Sequence, residues 1–284
     1  MGEKKSPRTW FITGSSTGFG RLLAEEVLKA GDNVVATARK VEQVSDLEQK
    51  YPNNALALLL DVTKQEQVDA AVAKTLERFG RVDVLVNNAG YGVAGAIEEV
   101  SEAELEPMYA TNVFGLLRVT RAFLPQLRKQ KRGHILNLSS IGGLTAGPGW
   151  GTYQSTKFAV EGLSEALAQE IGPLGIKLTI VEPGPFRTDF LGRSGVAAAK
   201  KIDEYDTTAG NARRYQSEQD GKQPGDPLKA VHAMMQVVDS PNPPLRLLLG
   251  AGALRRVRAK LDTWQKELAE WETVTVGADF PEGK

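Results

Sequence analysis

Seven short apolar runs recur along the chain, and most of the stretches between them carry helical periodicity. The runs are residues 9–13 (T-W-F-I-T), 33–38 (N-V-V-A-T-A), 55–60, 82–86, 133–138, 177–181 and 245–249. Each is an unbroken apolar run rather than an alternation. That is the pattern of a strand covered on both faces. Residues 21–30 read as a helix that stops at Gly31, a residue suited to a helix C-terminus. Residues 64–79 place Val68, Val72, Leu76 and Phe79 on one side. Residues 102–130 read as one long helix, 152–171 as another and 254–271 as the last. Asp226 and Pro227 open a helix by N-cap and first-turn logic. The β-α-β-α order predicts an α/β fold, a doubly wound (Rossmann) parallel seven-stranded sheet with helices on both faces. Residues 186–226 have no steady period. They read as a substrate lid with short helices or as an unstructured insert. No repeat or linker divides the chain, so one domain over 1–284 is expected, with 186–226 an excursion within it.

Composition excludes several function classes. Lys plus Arg and Asp plus Glu are 35 each, so no basic excess argues for nucleic acid. There is no cysteine, which removes disulfides and thiolate catalysis and fits a reducing compartment. Two histidines without cysteine make a metal site unexpected. The first strand starts too near Met1 for an apolar signal region, and no apolar run approaches a membrane span. The expectation is a cytoplasmic protein with no membrane and no nucleic-acid partner.

Several motifs fall at the C-terminal ends of the strands, where a doubly wound sheet binds ligands. T-G-S-S-T-G-F-G holds Thr13, Gly14, Ser16, Thr17, Gly18, Phe19 and Gly20 between the first strand and first helix. Its glycines allow a tight turn and close approach of a pyrophosphate, and the helix N-terminus behind offers free N–H groups. Asp61 and Val62 follow the third strand; the carboxylate accepts from an adenine amino group or caps the next helix. N-N-A-G supplies Asn88, Ala89 and Gly90 after the fourth strand, where asparagine ties loops together. Asn112 lies mid-helix as a polar residue bonding backbone or as an irregularity that holds a water. Ser140 follows the fifth strand. Tyr153 and Lys157 share a helix face by their spacing.

In this order and spacing, the glycine turn, Asp61, N-N-A-G, Asn112, Ser140, Tyr153, Lys157 and Pro183-Gly184 resemble the short-chain dehydrogenase/reductase family. The resemblance is strong over about residues 9–181 and looser beyond. It implies strand order 3-2-1-4-5-6-7, a nicotinamide cofactor and a catalytic tetrad of Asn112, Ser140, Tyr153 and Lys157. It also implies that Lys157 holds the nicotinamide ribose, and dimers or tetramers that pair through the helices at 102–130 and 152–171. Pro183, Gly184, Phe186 and Thr188 would meet the nicotinamide end. A free tyrosine has a pKa near ~10. Lowering it by about three units takes roughly 4 kcal/mol, and a cation about 4–5 Å away supplies roughly 3–4 kcal/mol at an effective dielectric near 20. Lys157 is therefore expected to tune Tyr153 as the general acid, with Ser140 positioning the carbonyl oxygen.

The second strand ends in Ala38, Arg39 and Lys40, with no carboxylate to bind a ribose 2′-hydroxyl. Arg39 can pair with a 2′-phosphate, helped by Lys40, so NADP(H) is expected over NAD(H). The basic residue that some family members place before the second glycine is Thr17 here. Trp150, Phe186, Phe190 and Leu191 suggest a hydrophobic ketone, aldehyde or alcohol, or else seal the lid. Arg193, Lys200, Lys201, Arg213 and Arg214 bind an acidic group or face water. His134 and His232 read as structural, and the last helix as a solvated one. A non-catalytic NADP(H) sensor on the same fold is the alternative; the complete tetrad favours the enzyme.

Overall fold

The unbroken apolar runs form the strands of one parallel sheet. The structure, a computed structural model, describes residues 6–280, so both ends of the expected 1–284 unit lie outside the described residues. The main-sheet strands are β1 (Thr9–Ile12), β2 (Asn33–Ala38), β3 (Ala55–Leu59), β4 (Val84–Asn87), β6 (Gly133–Leu138), β7 (Ile176–Pro183) and β9 (Arg246–Leu249). Two shorter strands, β5 (Gly92–Ala94) and β8 (Gly195–Ala197), pair with each other outside it. The main sheet runs β3-β2-β1-β4-β6-β7-β9 with every pair parallel. With the small ribbon set aside, this is the expected 3-2-1-4-5-6-7 order. The chain reverses its winding between β1 and β4, which opens a crevice at their C-terminal ends.

Both faces of the sheet are dry. Trp10 and Ile12 of β1, Val34 and Ala36 of β2, and Val84 and Val86 of β4 point to one face. There they meet α1 (Gly18–Lys29) and α8 (Pro227–Asp239) through Leu23, Val27, Val231 and Met234. Phe11, Val35, Leu85 and Ile135 point to the other face. They pack under α3 (Gln65–Phe79), α5 (Leu116–Gln130) and α6 (Gly151–Ile171). Neighbouring residues of a strand point to opposite faces, so burying both faces explains why the runs are unbroken.

Three features refine the sequence reading. A short helix, α2 (Ser45–Lys50), lies between β2 and β3. The helix expected over 102–130 runs that full length, but as α4 (Glu102–Tyr109), a π-helical stretch, Ala110–Gly115, and then α5, so it carries an irregularity at Asn112. Asn112 sits in that stretch and bonds out of the helix to the backbone of Tyr91. Gly115 lets Val62 approach within 2.5 Å of where a Cβ would stand. Of the two readings of the 186–226 excursion, the one with short helices holds. The excursion carries a second π-helical turn (Phe190–Ser194), β8 and α7 (Ala209–Gln219). The last helix, α9 (Ala251–Val276), extends past the sheet and has Ala253 as its buried residue. No helix among the described residues is long and apolar enough to cross a membrane.

A buried ion pair fastens the excursion. The Glu99 side chain is fully buried and accepts from Arg213 of α7 and from the backbone N–H groups of Ala96 and Ile202. The Arg213 hydrogen bonds hold its carboxyl down at about 2, against the opposing effect of burial. Arg213 is thus not a free loop charge, and Arg214 is likewise engaged with Asp206 at 3.0 Å. The contribution of Glu99 to stability is complete above its ordinary pKa of about 4.5 and is lost as pH falls through about 2. Glu99→Gln leaves Arg213 without its counter-charge and is expected to cost about 3 kcal/mol. Limited proteolysis at neutral pH should then cut within 186–226 first. An unchanged melt and digestion pattern would remove Glu99 from this role.

Candidate active site

A cleft of about 1040 Å³ runs along the C-terminal ends of the strands, from the glycine turn to Tyr153. At one end, Gly14 and Gly18 take left-handed φ of 67° and 56°, which a side chain would strain. Gly20 lies beneath them; a Cβ there would stand 2.4 Å from the Gly14 carbonyl oxygen. Thr17 precedes α1 and makes no side-chain cap bond, so first-turn N–H groups remain for an anion. Ser16, Thr17, Gly18 and Phe19 line the cleft, while Thr13 and Gly20 support it from behind. Thr13 Oγ1 accepts from the N–H groups of Asn88 and Ala89 at 2.9 and 3.0 Å. Asn88 Nδ2 donates to the carbonyls of Thr13 and Gly14, both at 2.9 Å. The two loops are one unit, and Ala89 and Gly90 continue its wall.

Arg39, Asp61 and Val62 line the cleft beyond the glycine turn. Arg39 is exposed and has no ion-pair partner among the described residues. Its charge reaches the Tyr91 phenol, whose pKa burial raises and Arg39 lowers. Lys40 is exposed beside it and does not line the cleft. Asp61 Oδ1 accepts from the backbone N–H and hydroxyl of Thr63 at 2.9 and 2.7 Å. That bond makes the local turn and leaves the second carboxylate oxygen for another donor.

At the far end, α6 presents Tyr153 and, one turn on, Lys157. Both are buried in the cleft wall, 8% and 6% exposed. Trp150 and Phe190 pack against the Tyr153 ring with centroids 5.8 and 5.4 Å away. Its other side lies on Gly92, where a Cβ would come within 2.9 Å of Tyr153 Cδ2. Ser140 starts a 3-10 turn after β6 and accepts from the Gly142 N–H at 3.0 Å. Lys157 Nζ donates to the Leu138 carbonyl at 2.7 Å and lies 5.8 Å from the Tyr153 ring centroid. Asn112 is buried behind Gly90. Its amide donates to the Tyr91 carbonyl and Thr156 Oγ1 at 2.8 and 3.1 Å. Pro183, Gly184, Phe186 and Thr188 close the cleft opposite, and Phe186 meets Phe19 edge-on at 5.5 Å.

Electrostatics here are set first by burial. Burial pushes the Tyr153 phenol up to about 12, with the Ser140 hydroxyl opposing. Burial brings the Lys157 ammonium down to about 8, with Glu161 opposing. Glu161, one turn beyond Lys157, is itself buried beside Glu182 of β7. Arg246 lies 3.3 Å from one and 3.4 Å from the other. Burial holds both carboxyls above the usual range, Glu182 at about 8. This acid pair escaped the sequence reading. The available signals were the i, i+4 spacing of Glu161 from Lys157 and the place of Glu182 just before Pro183. His134 shares a hydrogen bond with Thr179 at 3.0 Å, and His232 pairs with Glu26 at 2.9 Å, both away from the cleft. The positive-φ glycine turn, the uncapped first turn of α1 and the length of the cleft fit a dinucleotide.

The chain belongs to the short-chain dehydrogenase/reductase family, matching the short chain dehydrogenase family over residues 8–197. It is 38% identical over 272 residues to the oxidoreductase BOA17 of Botryotinia fuckeliana, covering 95% of this chain and 99% of that one. It is 36% identical over 260 residues to a 3-ketodihydrosphingosine reductase of Bacteroides thetaiotaomicron, covering 91% and 93%. The fold matches a short-chain dehydrogenase from Streptomyces avermitilis with TM-score 0.91 and 45% identity, over 97% of this chain and 100% of that one. An alcohol dehydrogenase from Thermococcus sibiricus complexed with 5-hydroxy-NADP matches with TM-score 0.71 and 29% identity, over 86% and 96%. A 3-ketoacyl-(acyl-carrier-protein) reductase from Brucella melitensis complexed with NADH matches with TM-score 0.72 and 28% identity, over 87% and 98%. The protein is an oxidoreductase of this family, and the class uses a nicotinamide cofactor.

Proposed function

We propose that the protein is an NADP(H)-preferring reductase of a moderately hydrophobic ketone or aldehyde. The observation that carries this reading is the buried Tyr153 phenol in the cleft wall, with Ser140 beside it, Lys157 behind it and Trp150 and Phe190 around it. The bound nicotinamide would supply or accept a hydride at the carbonyl carbon. Gly14, Thr17, Gly18 and the first turn of α1 would hold its pyrophosphate, and Arg39 the 2′-phosphate.

Tyr153 acts as general acid toward the carbonyl oxygen. A phenol at about 12 stays protonated at neutral pH. It still donates readily to a nascent alkoxide, a base on the order of hydroxide, whose parent water has a pKa of ~15.7. At neutral pH Tyr153 is therefore in the protonated form that carbonyl reduction uses, and alcohol oxidation would start from the phenolate. The Lys157 charge stabilises that phenolate once it forms, and Ser140 orients the carbonyl oxygen. The amide hydrogens of Asn112 are both taken by Tyr91 and Thr156. A water held by Asn112 would use its main-chain carbonyl or the remaining Oδ1 lone pair.

The apolar rim of Trp150, Phe190 and Leu191 suits an alkyl or aromatic ketone. The ketone named for the Bacteroides relative supports the same class. The test is steady-state turnover over ketones of increasing alkyl length with each cofactor. NADPH is expected to exceed NADH in kcat/KM by roughly tenfold or more, and Arg39→Ala should erase most of that ratio. Equal kcat/KM with both cofactors would remove Arg39 from its role. A preference for short polar substrates would overturn the hydrophobic assignment.

A further inference from the structure

Helix α9 leaves an apolar side in water. Leu254, Val257, Leu261, Trp264, Leu268 and Trp271 follow one another at alternating three- and four-residue steps, the a/d spacing of a coiled coil. Leu261, Trp264, Leu268 and Trp271 are 49%, 55%, 54% and 59% exposed. Residues 258–276 are exposed throughout, and α9 touches the rest of the protein mainly through its start, at Ala253 and at Arg256, which donates to Thr145 at 2.8 Å. In proteins most helical stability comes from packing of an apolar face, and here that face has no partner among the described residues. A sustained heptad stripe is the pattern that a second helix stabilises.

The charges beside the stripe identify the partner and its direction. Arg255, Arg256, Arg258 and Lys260 make the first half basic, and Glu267, Glu270 and Glu272 make the second half acidic. We propose that α9 pairs antiparallel with α9 of a second copy of this chain, with Trp264 packed against the partner's Leu268 and Leu261 against the partner's Trp271. In that register Arg258 lies beside the partner's Glu272, twice by symmetry, and the one like-charge contact is Glu267 with the partner's Glu267 at the crossing. A parallel pair would instead set Glu267 against the partner's Glu272 on both sides, with no compensating pair. The stripe offers roughly 600 Å² of apolar side chain per copy, close to the ~800 Å² per partner of a standard interface. The two-fold arrangement is isologous and closes without leaving a free stripe. An anionic membrane fits less well, since the acidic half would face it.

The chain has no cysteine, so Gln265→Cys introduces a single thiol. In the antiparallel register Gln265 faces the partner's Gln265 at the crossing. Gln265→Cys should form a disulfide-linked dimer under mild oxidation at low protein concentration. Arg258→Cys should stay monomeric on denaturing gels, and the double variant Arg258→Cys/Glu272→Cys should cross-link. Leu261→Glu/Leu268→Glu should halve the mass measured by light scattering. Arg258→Glu and Glu272→Arg should each weaken the assembly, and combining them should restore it. An unchanged mass in Leu261→Glu/Leu268→Glu overturns the proposal. Charge swaps without rescue, or cross-linking of Arg258→Cys as efficient as that of Gln265→Cys, overturn the antiparallel register. Sedimentation of the parent protein with phosphatidylglycerol vesicles, lost in Leu261→Glu/Leu268→Glu without a change in mass, would assign the stripe to a membrane instead.

Discussion

Tyr153→Phe is expected to lower kcat for carbonyl reduction by roughly 10²- to 10⁴-fold, the range that a positioned general acid supplies. The same change should leave NADPH affinity within about threefold, since it removes one hydroxyl from a well-packed ring. Trp150 and Phe190 contact the ring, and Gly92 leaves no space for it to shift. Phenylalanine therefore fills the same volume and loses only the proton. Burial already holds the phenol at about 12, so the parent enzyme should keep its acid protonated well above neutral pH. The reductive rate should accordingly show no loss assignable to Tyr153 below about pH 9. Parallel titration of NADPH fluorescence separates failed chemistry from failed binding. Undiminished turnover in Tyr153→Phe, with normal binding, would take the proton-donor role away from this residue.

The parts legible in the sequence were those that a local rule dictates. A strand buried on both faces must be unbroken and apolar, and that marked all seven strands of the main sheet. A glycine turn between a strand and a helix has one common use, and it lies at the end of the cleft. Residues 102–130 read correctly as one long helix, and Asn112 marked the place of its irregularity but not its π-helical form. That form goes with the bonds between Asn112 and the backbone of Tyr91, a contact distant in sequence. The 186–226 segment left two readings open because no local rule decides between them. Its pieces are short and weakly periodic, and they are held by Glu99 to Arg213 and by the β5–β8 ribbon, both long-range. The expected influence of Lys157 on Tyr153 came from a Coulomb argument with no term for burial. Burial instead raises the Tyr153 phenol where the Coulomb argument lowered it, and it lowers the Lys157 ammonium.

The same burial makes Lys157→Met a variant that should lose activity and gain stability. The cation lies 5.8 Å from the Tyr153 ring centroid. At an effective dielectric near 20 that is worth about 3 kcal/mol to a forming phenolate, or roughly a hundredfold in rate. If Lys157 also holds the nicotinamide ribose, as the family resemblance implies, loss of that contact would add to this. Stability runs the other way. The ammonium sits at about 8 in the folded protein against 10.5 when unfolded, so folding strips its proton more easily. That penalty is complete below about pH 8, fades between about 8 and 10.5, and is gone above. A shift of this size corresponds to about 3 kcal/mol at neutral pH. Methionine fills a similar volume without charge. It leaves the Leu138 carbonyl without its donor, at about 1 kcal/mol, and removes the cation that faces Glu161. The net expectation is a gain of about 1–2 kcal/mol at pH 7, or a rise in Tm of roughly 2–6 °C. The gap between the two melts should narrow as pH rises from 7 to 9.5. A lower Tm at pH 7 would mean that the hydrogen bond to Leu138 and the neighbouring Glu161 hold Lys157 in place at a net benefit. The charge would then stabilise the fold that it was expected to burden.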